Sequence, residues 1–103
     1  MKQIQDLVDA MQKEIDTANC YYNRAVSVRE EYPTLANTYI DIASQELNHS
    51  DKFHTMAINL ISKQKALGKP VPESMQAVWD YLHQKIIEQY DEIKYKISKF
   101  TLS

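Results

Sequence analysis

Glycine is almost missing from this chain. Gly68 is the only one in 103 residues, and proline occurs only as Pro33, Pro70 and Pro72. With so little glycine there is no Gly-rich loop to cradle a phosphate, and no Ser/His/Asp group stands out, so a hydrolytic enzyme is the weakest reading. Cysteine is nearly as scarce. Cys20 stands alone, so an internal disulfide is impossible and a reducing compartment is expected. Helical spacing puts Cys20 on a polar face, a poor place for a catalytic nucleophile. Twelve basic against fourteen acidic side chains leave a net charge of −2, with no excess of positive charge to attract nucleic acid. No apolar run approaches the ~20 residues of a membrane span. The start, MKQIQDLVDAMQKE, is amphipathic and as acidic as it is basic, unlike a signal or transit peptide. A cytoplasmic protein is expected.

What remains abundant is Gln, Glu, Lys, Leu, Ile and Ala, a helix-forming composition that predicts a single all-α domain. Helix breakers cluster in two places. In EEYPT, Pro33 suits the first turn of a new helix. In LGKPVPES, Gly68 can close a helix, and Pro70 and Pro72 block its continuation. The apolar spacing between these marks predicts helices over about 2–30, 33–66 and 73–100. The first carries Ile4, Leu7, Met11, Ala18, Tyr21, Ala25 and Val28. The second carries Leu35, Tyr39, Ile42, Phe53, Met56 and Leu60. The third carries Met75, Trp79, Leu82, Ile86, Tyr90, Ile93, Ile97 and Phe100. Short connections make the first two an antiparallel hairpin, with the third folding back on it or reaching toward a neighbour.

The second helix has more apolar surface than a three-helix monomer needs. Ile40, Leu47 and Ile58 form a further row about 120° from the Tyr39–Phe53 row. One chain has too few helices to cover both rows, which points to self-association.

Polar residues interrupt this pattern in SQELNHSDKFH, residues 44–54. Glu46 lies within about 40° of Tyr39, Ile42, Phe53 and Ala57, and His49 lies about 60° from Glu46. On the first helix Glu14 shares a face with Leu7, Tyr21 and Ala25. All three ionisable groups are therefore expected inside the apolar stripe, where each costs several kcal/mol unless paired or bound to metal. They also share one height. With the turn near Glu31, Glu14 is seventeen positions before it, and Glu46 and His49 are fifteen and eighteen after it. The offset is roughly 3 Å or less.

Glu-x-x-His on one helix plus Glu on its neighbour is half the ligand set of a di-iron carboxylate bundle. Hard carboxylates bridge and neutralise cations while imidazole supplies a nitrogen donor. The third helix is a poor source for the other half. Glu88, Asp91 and Glu92 turn away from its apolar face, and Asp80 and His83 lie about 12 to 16 Å along the axis from His49. A second copy of the hairpin about a two-fold axis is the smallest assembly that supplies two more Glu and one more His.

At these residues the chain resembles the ferritin and rubrerythrin superfamily. KEIDTANCYYNRA is similar to its first helix, and ASQELNHSDKFH to its second, over roughly residues 7–61. The family bundle carries two such half-sites in one chain, whereas this chain carries one. In that it resembles the encapsulated ferritins, which keep one hairpin and a C-terminal helix and build the iron site between two chains. The resemblance implies a ferritin-like four-helix bundle completed by dimerisation, with two iron ions per dimer site. It implies Glu14 as a terminal ligand, Glu46 as the bridge, His49 as a terminal nitrogen donor, and Fe(II) oxidation as the reaction. It also implies a homodimer or higher oligomer, with an enclosing protein shell or capsid as a further partner. Zinc or manganese accepts similar ligands. The last helix, ESMQAVWDYLHQKIIEQYDEIK, resembles instead the C-terminal part of short phage and prophage proteins of Gram-positive bacteria.

For the remaining polar and aromatic residues structural roles are expected. His54 lies about 80° from Glu46 and reads as an interface histidine or a support for a ligand. His83 reads as a satisfied histidine beside the core, and Asp80 as its solvated neighbour. Tyr21, Tyr22 and Trp79 read as packing anchors. Two functions stay open: a shared-site di-iron protein oxidising Fe(II) with dioxygen or peroxide, and a non-catalytic helical assembly protein that keeps the same scaffold.

Overall fold

The computed structural model of the chain describes residues 2–69 and 72–102, the side chains of Ser74 and Leu102 apart. They form three helices: α1 (Lys2–Val28), α2 (Pro33–Ala66) and α3 (Glu73–Leu102). The ends match the sequence reading to within two residues. α1 stops at Val28 rather than near 30, and α3 runs on to Leu102. Pairs one turn apart lace the outer faces, including Gln12 Nε2 to Asp16 at 2.9 Å, Gln84 Nε2 to Glu88 at 3.2 Å and Lys96–Glu92 at 3.3 Å. The rod measures 57 × 20 × 18 Å.

Local chemistry explains each break. Pro33 opens α2, where a missing N–H costs nothing, and the Tyr32 N–H donates to the Val28 carbonyl at 2.7 Å to close the hairpin turn. α2 ends in a Schellman motif. The Lys69 N–H reaches the Gln64 carbonyl at 3.0 Å, and the Gly68 N–H reaches the Lys65 carbonyl at 3.1 Å. Gly68 takes φ +71°, a conformation that a side chain would strain. Lys63 and Lys65 in the last turn suit the negative end of the helix dipole. The Pro72 carbonyl accepts from Met75 and Gln76 to start α3. Pro70, expected to block continuation, lies outside the described residues.

The buried surface of α2 differs from the expected stripe. Ala36, Ile40, Ala43, Leu47, Ser50, Ala57 and Ile61 are buried, whereas Leu35 and Met56 are exposed and Tyr39, Ile42, Phe53 and Leu60 are only half-buried. The core stripe centres on Ala43 and Ile61, about 60° from Glu46 and on the side away from His49. The reason is the tightness of the α1–α2 contact. Ala18 and Ala25 on α1 and Ala36, Ala43 and Ala57 on α2 are all essentially inaccessible. Ala18 stands at the height of Ala43, and Ala25 at that of Ala36. Small side chains at a crossing let two helices approach closely, and larger apolar residues flank that seam. Of the row taken as surplus, Ile40 and Leu47 are core and only Ile58 is exposed.

α3 packs more on α1 than on α2. Its buried residues, Trp79, Ile86, Ile93, Ile97 and Phe100, keep a near-heptad spacing. Polar ties fix its register: Gln12 Nε2 donates to Gln89 at 2.7 Å, the Tyr90 hydroxyl donates to Asp51 at 2.8 Å, and the Arg29 guanidinium sits 4.3 Å above the Phe100 ring. Asp51 and His49 point to nearly opposite sides of α2. α3 thus covers one side of the hairpin and leaves the His49 side open.

Candidate metal centre

Glu14 stands in the middle of α1, and Glu46 and His49 in the middle of α2, far from any break in either helix. Ala18 lies one turn from Glu14, and Ala43 nearly one turn from Glu46. The alanine seam therefore sets the helix separation at these side chains. The structure brings all three together. His49 Nδ1 lies 3.6 Å from Glu14 Oε2 and 3.8 Å from Glu46 Oε2. One donor atom from each residue lies within 4.8 Å of the others, a spacing suited to oxygen and nitrogen donors around a cation.

The expected full burial of the group is corrected. Both Glu side chains are 21% exposed and His49 is 49% exposed. The stripe lies to one side of Glu46, so the cluster stands on the flank of the seam. One atom nevertheless lacks what burial demands. Glu14 Oε2 is inaccessible and has no hydrogen-bond partner, a state that costs about 1–3 kcal/mol for a polar atom. The Glu14 carboxyl is pushed above its ordinary value. Its proton-sharing relation with Glu46 contributes most, then burial, then the negative charge of Glu46. The His49 imidazole pulls the other way. A cation among the three would relieve each of these costs, so the donor set fits a hard or borderline metal ion.

Apolar and aromatic residues bracket the cluster on the same face. Tyr21 and Tyr39 lie two turns toward the hairpin turn, with ring centroids 5.8 Å apart and the Arg24 guanidinium 5.2 Å from the Tyr21 ring. Leu7 and Phe53 lie two turns the other way. Among the described residues no α3 side chain joins the cluster. Glu88, Asp91, Glu92 and Cys20 are exposed.

His54 and His83 form a contact of their own, which the sequence reading missed. Nε2 of one meets Nε2 of the other between α2 and α3. The antiparallel register carried the signal, since it put His83 near the height of residues 57–60, one turn from His54.

Comparison of the chain with protein-family models, with curated proteins and with solved structures gives no match. The functional reading therefore rests on the residues. No helix among the described residues is long and apolar enough to cross a membrane.

Proposed function

We propose that the chain is a ferritin-like metal-binding protein in which two hairpins face one another and enclose a pair of iron ions. Glu14, Glu46 and His49 of each copy are the ligands. The observation that carries this reading is the buried Glu14 Oε2, without a hydrogen bond, held beside a second carboxylate and an imidazole. Four carboxylates from two copies balance the charge of two divalent cations, a compensation that one chain's triad cannot supply for two ions.

Fe(II) is the substrate, and dioxygen or peroxide takes its electrons. The chain's residues bind and orient the ions, and the seam holds the donors at fixed separation. A cation beside Glu14 Oε2 would offset the burial and the Glu46 charge that favour its protonated form. The open flank that exposes His49 leaves room for the second copy. Leu35 and Met56, exposed on the same side, would be covered by it.

That uncovered row also favours a second reading, a non-catalytic assembly protein that uses the face only to associate. One experiment separates the two. Purified protein is given Fe(II) aerobically while near-ultraviolet absorbance, bound metal and native mass are followed. Metal-dependent absorbance from a dimer or larger oligomer, lost in Glu46→Ala, supports the iron reading. An oligomer that stays metal-free and is indifferent to Glu14→Ala and His49→Ala establishes the assembly reading in its place.

A further inference from the structure

The His54–His83 junction has an unusual geometry. The ring centroids are 4.7 Å apart and the planes differ by 8°, while Nε2 faces Nε2 at 2.5 Å. That centroid separation is close to the N···N gap plus the reach of each ring. The imidazoles therefore meet edge to edge in nearly one plane. Nε2 facing Nε2 lets a single proton join the rings, donated by one to the lone pair of the other. A second proton puts two N–H groups head to head, and that state cannot hold.

We infer that His54 and His83 form a proton-counting latch that holds the N-terminal half of α3 against α2 when the pair carries a single Nε2 proton and releases it when both rings are charged. The surroundings agree. α3 contacts α2 sparsely, so one repulsive pair weighs heavily there. On the α2 side Asp51 is occupied by the Tyr90 hydroxyl. On the α3 side Asp80, which also accepts from Gln76 Nε2, favours a charged His83. α1 contributes Met11 to the cavity beside His54 and Asp9 to the groove beside Trp79. Burial and the charge of His54 outweigh Asp80 and hold His83 below the ordinary 6.5. A histidine lowered in this way stabilises docking fully above its ordinary value, and that stability is lost as pH falls through the lowered one. Release would bare Trp79 together with Ile4 and Val8, which share its groove.

Trp79 is the single tryptophan and lies 5.0 Å and 10° from the His83 ring. The test follows its emission maximum from about pH 8 to 5, with amide exchange along α3 and far-ultraviolet circular dichroism. Helix content should persist while the emission moves toward that of exposed tryptophan. Exchange over residues 76–86 should quicken at least about tenfold, relative to residues 92–100. In His54→Gln the acid transition should vanish, and in His49→Gln it should persist. Emission and exchange that stay flat in the unaltered protein overturn the latch, as does helix loss in step with the emission change. So does a transition unchanged in both His54→Gln and His83→Gln, or one abolished by His49→Gln. The unaltered protein alone decides the first two outcomes, so the test survives a variant that fails to fold.

Discussion

The two packing interfaces of this rod are built on opposite plans. Between α1 and α2 the contact is closed by alanines, with Ala18 level with Ala43 and Ala25 level with Ala36, so the helices lie close and their separation tolerates little change. Between α3 and the hairpin it is made by Trp79, Ile86, Ile93, Ile97 and Phe100, bulky groups whose contribution is buried apolar area. Fully burying one such side chain is worth about 1.5–3 kcal/mol, whereas an alanine contributes little beyond permitting close approach. The contrast separates two tasks. The seam fixes the geometry of Glu14, Glu46 and His49, and α3 supplies much of the stability from the far side.

Substitutions can break that division. Ile86→Ala should cost about 3 kcal/mol of unfolding free energy by denaturant titration, yet leave metal affinity within about twofold. A large loss of affinity would show that α3 also shapes the site. Ala43→Leu should cost about 2 kcal/mol through overpacking and, unlike Ile86→Ala, remove metal binding by calorimetry, because the added bulk wedges the donors apart. Glu14→Gln should stabilise the metal-free protein by about 1 kcal/mol at neutral pH, since the amide carries no charge beside Glu46 and offers it an N–H donor where the carboxylate has only acceptors, while abolishing metal uptake. Its pH dependence has a fixed sign. Glu14 is raised in the folded chain, so its favourable contribution is full below the ordinary carboxyl value and is lost as pH rises through the raised one. The metal-free parent should therefore lose stability relative to Glu14→Gln across that rise, read as diverging melting temperatures. Smallest of all, Arg29→Lys, at the end of α3 where the guanidinium covers Phe100, should cost about 0.5 kcal/mol and leave the site unchanged.

The helices were legible because their breakers are few: one glycine and three prolines leave only two places where the chain can turn. The triad was legible from arithmetic, since residues equidistant from one short turn in an antiparallel hairpin must stand at one height. The burial of α2 was not. Leu35 and Met56 outrank Ala36, Ala43 and Ala57 on any scale of size or hydrophobicity, yet the alanines are inside. Periodicity identifies a stripe by its large residues, and a close-packed seam selects small ones. His54 and His83 read separately as a peripheral histidine and a satisfied one, because their meeting depends on how α3 leans on α2.

The sequence by itself determined three helices, their limits and the common height of Glu14, Glu46 and His49. Helix pitch and turn position are local properties of a chain with so few breakers. Only the tertiary structure decided which side of α2 is core, how open the triad stands, and that two imidazoles meet nitrogen to nitrogen. Those follow from the separation and rotation of whole helices, set by the fit of alanines in one seam and of bulky side chains in the other.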